Sequence, residues 1–150
     1  MATAVKKTPL KQTSRTNDPE RTMAEILLVA NKEFADKGLA GARIDEIAAA
    51  TRTSKRMIYY YFASKEGLYL AVLEAAYRRM RQIESDLHLE DLEPVQALKA
   101  LVEFTYDHHQ ANENFIRLVM NENIQRGEYI GQSKDIQQLN GSALQTIQNL

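Results

Sequence analysis

Apolar residues return every three or four positions through most of the chain, and the breaks between these runs carry the chemistry that starts and stops helices. Met23, Leu27, Ala30 and Phe34 stand at i, i+4, i+7 and i+11, which predicts one buried stripe on a first helix. Asp18-Pro19-Glu20 opens it with a capping carboxylate, a proline at the first helical position and an acid in the first turn. Lys37-Gly38 closes it, with a cation at the negative end of the dipole and a residue free to take positive φ. Ile44, Ile47 and Ala48 mark the inward face of a short second helix ending near Thr51. Ser54 caps a third, with Ile58 and Phe62 inward, and Ser64 caps a fourth. The fourth runs to about Asp86 on a stripe of Leu68, Val72, Ala75 or Ala76, and Ile83.

A polar break over Leu89–Glu93 follows, and Pro94 opens a fifth helix whose expected buried positions are Val95, Leu98, Val102 and His109. A sixth spans Asn114 to Gln125, ahead of Gly127. The seventh begins near Ser133 and carries Ile136, Leu139, Leu144, Ile147 and Leu150, with Gly141 as a weak point. No segment alternates as a strand does, so the fold class is all-α. The pattern reaches Leu150 without a stop signal, so the C-terminal half is expected to be incomplete.

The third helix has the richest chemistry, S-K-R-M-I-Y-Y-Y-F over residues 54–62. Two short helices joined by about four residues make a helix-turn-helix, whose second member can lie in a DNA major groove. On it the first turn brings Lys55, Arg56 and Met57 toward base edges, and Tyr59, Tyr60 and Tyr61 spread around the next turn. Arginine and lysine can bond guanine O6 and N7, an apolar side chain can meet a thymine methyl, and tyrosine hydroxyls can donate to phosphates. Arg43 and Lys65 stand at the N-termini of the second and fourth helices, where dipole and free N–H groups already favour an anion. The competing reading is a solvated basic helix with its tyrosines packed on a neighbour.

Charge supports the division. Residues 1–70 hold twelve Lys/Arg and eight Asp/Glu, giving +4, whereas residues 71–150 hold seven and twelve, giving −5. A polyanion suits the front half, and small molecules or protein suit the back. Residues 1–17 contain Lys6, Lys7, Lys11 and Arg15 with no acid and are expected to form a disordered basic arm. The absence of cysteine excludes disulfides and thiolate metal sites. There is no apolar run of membrane-spanning length and no secretory h-region, so a cytoplasmic protein without a membrane partner is expected.

The segments A-D-K-G-L-A-G (35–41), I-D-E-I-A (44–48), S-K-R-M-I-Y-Y-Y-F (54–62) and S-K-E-G-L (64–68) together resemble the DNA-binding domain of the TetR family of transcriptional regulators. The resemblance implies a DNA-binding domain over 18–63 and a helical ligand-binding and dimerisation domain over 64–150, entered through a linking helix at 64–86. It implies that Arg56 and Tyr59 touch bases, and that Lys55, Tyr60, Tyr61 and Lys65 touch phosphates. Met57 falls at a recognition position that varies between members, and Ser54 caps the recognition helix. The implied protein is a homodimeric repressor on a palindromic operator, released by an unidentified small-molecule effector. Arg52-Thr53 replaces the usual Gly-Val of the turn, Ala42 or Arg43 stands where a Ser/Thr cap is common, and Tyr61 takes the place of a frequent histidine.

In the acidic half Phe104, Tyr106, His108, His109, Phe115, Met120, Asn121 and Asn123 could line a small-molecule cavity. Phe104, His108, Phe115 and Met120 are the candidate effector contacts, set against an ordinary helical core. One rival is an architectural or oligomerisation protein with the same DNA domain and no pocket. Another is a metal-dependent enzyme using His109 and Glu113, which are four residues apart. With no H-E-x-x-H, no Gly-rich phosphate loop and no nucleophile elbow, the expectation is a non-enzyme without metal or cofactor.

Overall fold

The structure, a computed structural model, describes residues 18–149, so the expected basic arm and Leu150 lie outside the described residues. Seven α-helices follow in order: α1 (Pro19–Gly41), α2 (Ile44–Thr51), α3 (Lys55–Phe62), α4 (Lys65–Ser85), α5 (Pro94–Ala111), α6 (Glu113–Ile124) and α7 (Lys134–Gln148). Short 3-10 turns at Leu89–Asp91 and Ile130–Gln132 link α4 to α5 and α6 to α7. The described residues are all-α, with no strand.

Capping oxygens fix the helix starts. The Asp18 carboxylate accepts from the N–H groups of Glu20 and Arg21, at 3.1 and 3.4 Å. Ser54 Oγ accepts from Met57 N–H at 3.1 Å, Ser64 Oγ from Gly67 N–H at 2.9 Å, and Ser133 Oγ from Ile136 N–H at 3.1 Å. Arg43 gives α2 no side-chain cap; its own N–H donates instead to Glu33 Oε1 at 3.2 Å. Gly38 breaks α1 with φ 68°, and the short turn beyond it aims the chain into α2.

Two non-glycine residues hold strained backbone around α3. Arg52 ends α2 in the left-handed region at φ 53°, ψ 31°. Ala63 ends α3 at φ 66°, ψ −47°, and Ser64 N–H donates to Phe62 C=O at 2.8 Å, a tight three-residue γ-turn. A side chain in the left-handed region costs about 1–2 kcal/mol. Arg52→Gly is therefore expected to stabilise the chain by about 1 kcal/mol and raise Tm by roughly 2–4 °C. A calorimetric scan showing an unchanged or lower Tm would place the strain elsewhere.

One core runs through both halves. Ile26, Ala30 and Phe34 of α1, Ile47 of α2, Ile58 of α3, Leu68, Val72 and Leu73 of α4, Leu118 of α6 and Ile136 of α7 are buried in a single cluster. The longest seams are those of α1 with α4 and α6. Ile26 is the buried residue of the first α1 turns, and Met23 and Leu27 flank it half-buried. On α4 the stripe continues through Tyr77 and Met80, while Ile83 points outward.

The fifth helix departs most from expectation. Val95, Leu98 and Val102 are exposed, at 81%, 54% and 60%, whereas Ala97 and His108 are buried. Helix α5 is apolar on two sides, and the side facing the core is the one carrying Ala97, Leu101, Phe104 and His108. On α7 Ile136 is buried, Leu139 is half-buried, and Leu144 and Ile147 face outward.

Candidate nucleic-acid interface

Helix α3 is pinned from behind and open in front. Ile58 is fully buried and Phe62 half-buried, while Lys55, Arg56, Tyr59 and Tyr60 are exposed, Tyr60 at 78%. Met57 is half-buried, so less of it projects than of its neighbours. Tyr61 is half-buried against the core, its ring edge-on to those of Tyr60 and Phe62 at 5.3 and 6.3 Å. Arg43 lies exposed beside α2, and Lys65 is half-buried, its Nζ donating to Ala40 C=O at 3.4 Å. The structure thus brings the expected nucleic-acid residues to the α2–α3–α4 corner, with Tyr61 and Met57 the most enclosed.

Asp45, which sequence reasoning did not single out, stands inside this basic group. Its carboxylate is 3.1 Å from Lys55 Nζ and 3.8 Å from the Arg43 guanidinium. Both cations remain more than half exposed, so either can exchange this carboxylate for an external anion at small cost. The sequence places Asp45 in the first turn of α2 near Arg43, but its approach to Lys55 comes from the packing of α2 on α3.

Behind the corner, α1, α4 and α6 meet at Tyr69. Its ring is edge-on to Phe34 at 5.1 Å and to Tyr129 at 5.2 Å. Its hydroxyl donates to Glu122 Oε1 at 2.9 Å, and Glu122 Oε2 accepts from the N–H groups of Tyr129 and Ile130 at 3.1 and 3.0 Å. Glu122 is fully buried, with each oxygen satisfied. Burial, with the hydrogen bond to Glu122 and its charge next, holds the Tyr69 phenol far above its ordinary value.

Three of the four candidate effector contacts come together. The His108 ring lies 5.6 Å from that of Phe104 and 5.2 Å from that of Phe115. Met120 does not join them: it is exposed, and five residues from Phe115 is about 140° around α6. His108 borders an open cleft of about 610 Å³ bounded by α1, α4 and the α5–α6 corner. Burial first, then the neighbouring His109 and Arg79, pushes the His108 imidazole below its ordinary pKa. Its stabilising contribution is therefore present above that ordinary value and lost as pH falls through it, where the unfolded chain takes up a proton first. Glu113, paired with His109 in the metal reading, is bonded to Arg117 at 2.7 Å. The three possible ligands that converge among the described residues are instead His88, Glu90 and Asp91, all exposed on the α4–α5 connection.

These features define a class, a helix-turn-helix unit fused through a long helix to a second helical layer. A family model described as bacterial regulatory proteins, tetR family, matches residues 26–72. A second, described as tetracyclin repressor-like, C-terminal domain, matches residues 94–150. The chain belongs to the TetR family of transcriptional regulators. It is 37% identical over 130 residues to the HTH-type transcriptional repressor NicS of Pseudomonas putida, covering 87% of this chain and 61% of that protein. It is 34% identical to the HTH-type transcriptional repressor SCO4008 of Streptomyces coelicolor, covering 73% of this chain and 54% of the relative. The crystal structure of the putative transcriptional regulator SCO4942 from Streptomyces coelicolor superposes with a TM-score of 0.65 at 30% identity, over 85% of this chain and 64% of that one. The chain thus spans a little over half the length of the relatives it matches. No described helix is long and apolar enough to cross a membrane.

Proposed function

We propose that this chain is the DNA-reading part and a portion of the regulatory part of a ligand-responsive transcriptional repressor that acts without catalysis. The observation that carries the reading is α3 itself: an eight-residue helix anchored by a fully buried Ile58 that holds Lys55, Arg56, Tyr59 and Tyr60 out to solvent. Residues 18–63 form the DNA-binding unit, α4 is the mechanical link, and 64–150 belong to the regulatory unit. Arg56 and Tyr59 read bases, Met57 adds an apolar contact, and Lys55, Tyr60, Tyr61, Lys65 and Arg43 hold phosphates, with Ser54 fixing the entry of α3.

Two copies set their third helices in successive major grooves of a palindromic operator, about 34–36 Å apart. The exposed apolar side of α5 supports pairing of subunits in the regulatory half. An effector in that half that favours the DNA-free arrangement shifts α4 and lowers the DNA-competent population. Such a protein works in the cytoplasm, on the nucleoid.

An unbiased DNA selection followed by salt titration tests the reading. Selection is expected to return one palindromic consensus. Tyr60→Phe and Lys65→Ala are each expected to weaken consensus and random DNA alike, and Lys65→Ala, which removes a charge, to flatten the salt dependence by about one counterion. Equal affinities for wild type and variants across several salt concentrations would remove the phosphate roles, and the absence of any enriched sequence would remove the repressor.

A further inference from the structure

The cleft between α1, α4 and the α5–α6 corner pairs an apolar floor with polar groups that have no partner. Leu27 and Leu28 of α1 face Val72 and Ala76 of α4 across it, and Phe115 and His108 close one end. Leu28 is 73% exposed, an apolar side chain left at the wall of an open space.

His108 is only 8% exposed, and its Nδ1 is shut off from solvent with no hydrogen-bond partner. The other nitrogen, Nε2, is not enclosed, and in the tautomer that carries the ring proton there it presents an N–H. No side-chain hydrogen bond among the described residues uses Nε2, so this N–H is the polar edge His108 can offer an occupant. Arg79 also borders the cleft, is exposed, and has no carboxylate within ion-pairing distance among the described residues. The remaining charge at the rim, Glu113, is already engaged by Arg117 at 2.9 and 2.7 Å.

We infer that this cleft binds a small apolar monocarboxylate, with the carboxylate held between Arg79 and the His108 ring and the apolar body against Leu27, Leu28, Val72 and Ala76. One guanidinium and one neutral N–H match a single negative charge with two acceptor oxygens. A phosphate ester would carry more charge than they neutralise into an apolar recess. The inference deepens the ligand-responsive reading and rests on it for its consequence. Because one wall is α1, an occupant touches the DNA-binding unit directly as well as α4.

Titration of the isotopically labelled chain with benzoate and hexanoate, each against its neutral amide, tests this by NMR. The acids are expected to shift the His108 ring and Leu28 methyl resonances and to bind at least tenfold more tightly than benzamide and hexanamide. In Arg79→Gln, a surface change that leaves the core intact, the acids should lose about tenfold in affinity and the amides almost nothing. Equal binding of acid and amide overturns the proposal, as does full affinity in Arg79→Gln or a response that bypasses His108 and α1. Operator binding is measured in parallel without probe. Carboxylate binding in a chain that ignores DNA would keep the site and remove the regulator, and operator binding with no carboxylate response would do the reverse.

Discussion

Glu122→Ala is expected to cost about 3 kcal/mol or more and to lower Tm by roughly 6–12 °C. The carboxylate is fully buried and accepts three hydrogen bonds, from the Tyr69 hydroxyl and from the backbone N–H groups of Tyr129 and Ile130. Truncation leaves the buried Tyr69 hydroxyl and the two part-buried N–H groups without their acceptor, each at up to about 1–3 kcal/mol, offset in part by removing a desolvated acid. Against the typical 5–15 kcal/mol of a domain, the loss is large. Tyr69→Phe removes one donor only and should cost less, and the double variant should fall short of the sum because the two share a bond. Glu128→Ala, exposed on the α6–α7 connection, serves as the control. A drop of less than 2 °C for Glu122→Ala would show that these bonds are replaced by water and that the junction is wetter than its burial indicates.

The same residue shows where reading a sequence runs out. Glu122 falls in step with Phe115 and Leu118, seven and four residues on, and all three are buried on α6. From sequence alone a glutamate there reads as the edge of the stripe, since its partners come from α4 and from backbone fifty or more and eight or fewer residues away. Helix starts were legible because their cause is local: Ser54, Ser64, Ser133 and Asp18 each bond N–H groups two or three residues ahead. The positive φ at Gly38 was legible for the same reason, whereas at Arg52 the sequence showed only that Arg52-Thr53 stands in place of a usual Gly-Val, and the left-handed backbone is seen in the structure. The γ-turn at Ala63 had no sequence signal, because alanine is an unfavoured residue at φ 66°.

Helix α5 failed for a different reason. A 3.6-residue period finds an apolar face but cannot choose between two, and the bulkier set, Val95, Leu98 and Val102, drew the assignment. Close approach of helices favours a small residue such as Ala97, and the aromatic contacts of His108 with Phe104 and Phe115 complete the inward side. The basic α3 face was legible as a motif, whereas Asp45 within it needed coordinates, since Lys55 and Asp45 are brought together by the crossing of α2 and α3. That carboxylate offsets part of the positive charge and so weakens binding to any polyanion, leaving discrimination to groups that contact bases.

Arg56→Ala should therefore separate affinity from specificity. Arg56 is exposed on the first turn of α3 and, unlike Lys55, has no carboxylate within ion-pairing distance among the described residues. Its guanidinium is free to form two parallel bonds to a guanine edge, a contact worth roughly 1–3 kcal/mol of discrimination. Removing it should weaken the preferred operator by about 5- to 150-fold and flatten preference at one base position of each half-site. Affinity for random DNA should fall by far less, because a base-reading arginine carries little of the nonspecific attraction. Lys55→Ala should give the opposite pattern, a similar loss on both DNAs deepened by the Asp45 carboxylate it leaves without its 3.1 Å partner. Selection on the two variants measures this directly. The same consensus from Arg56→Ala as from the parent, with equal losses on operator and random DNA, would move Arg56 from the base edges to the phosphates and leave Tyr59 and Met57 as the readers on α3.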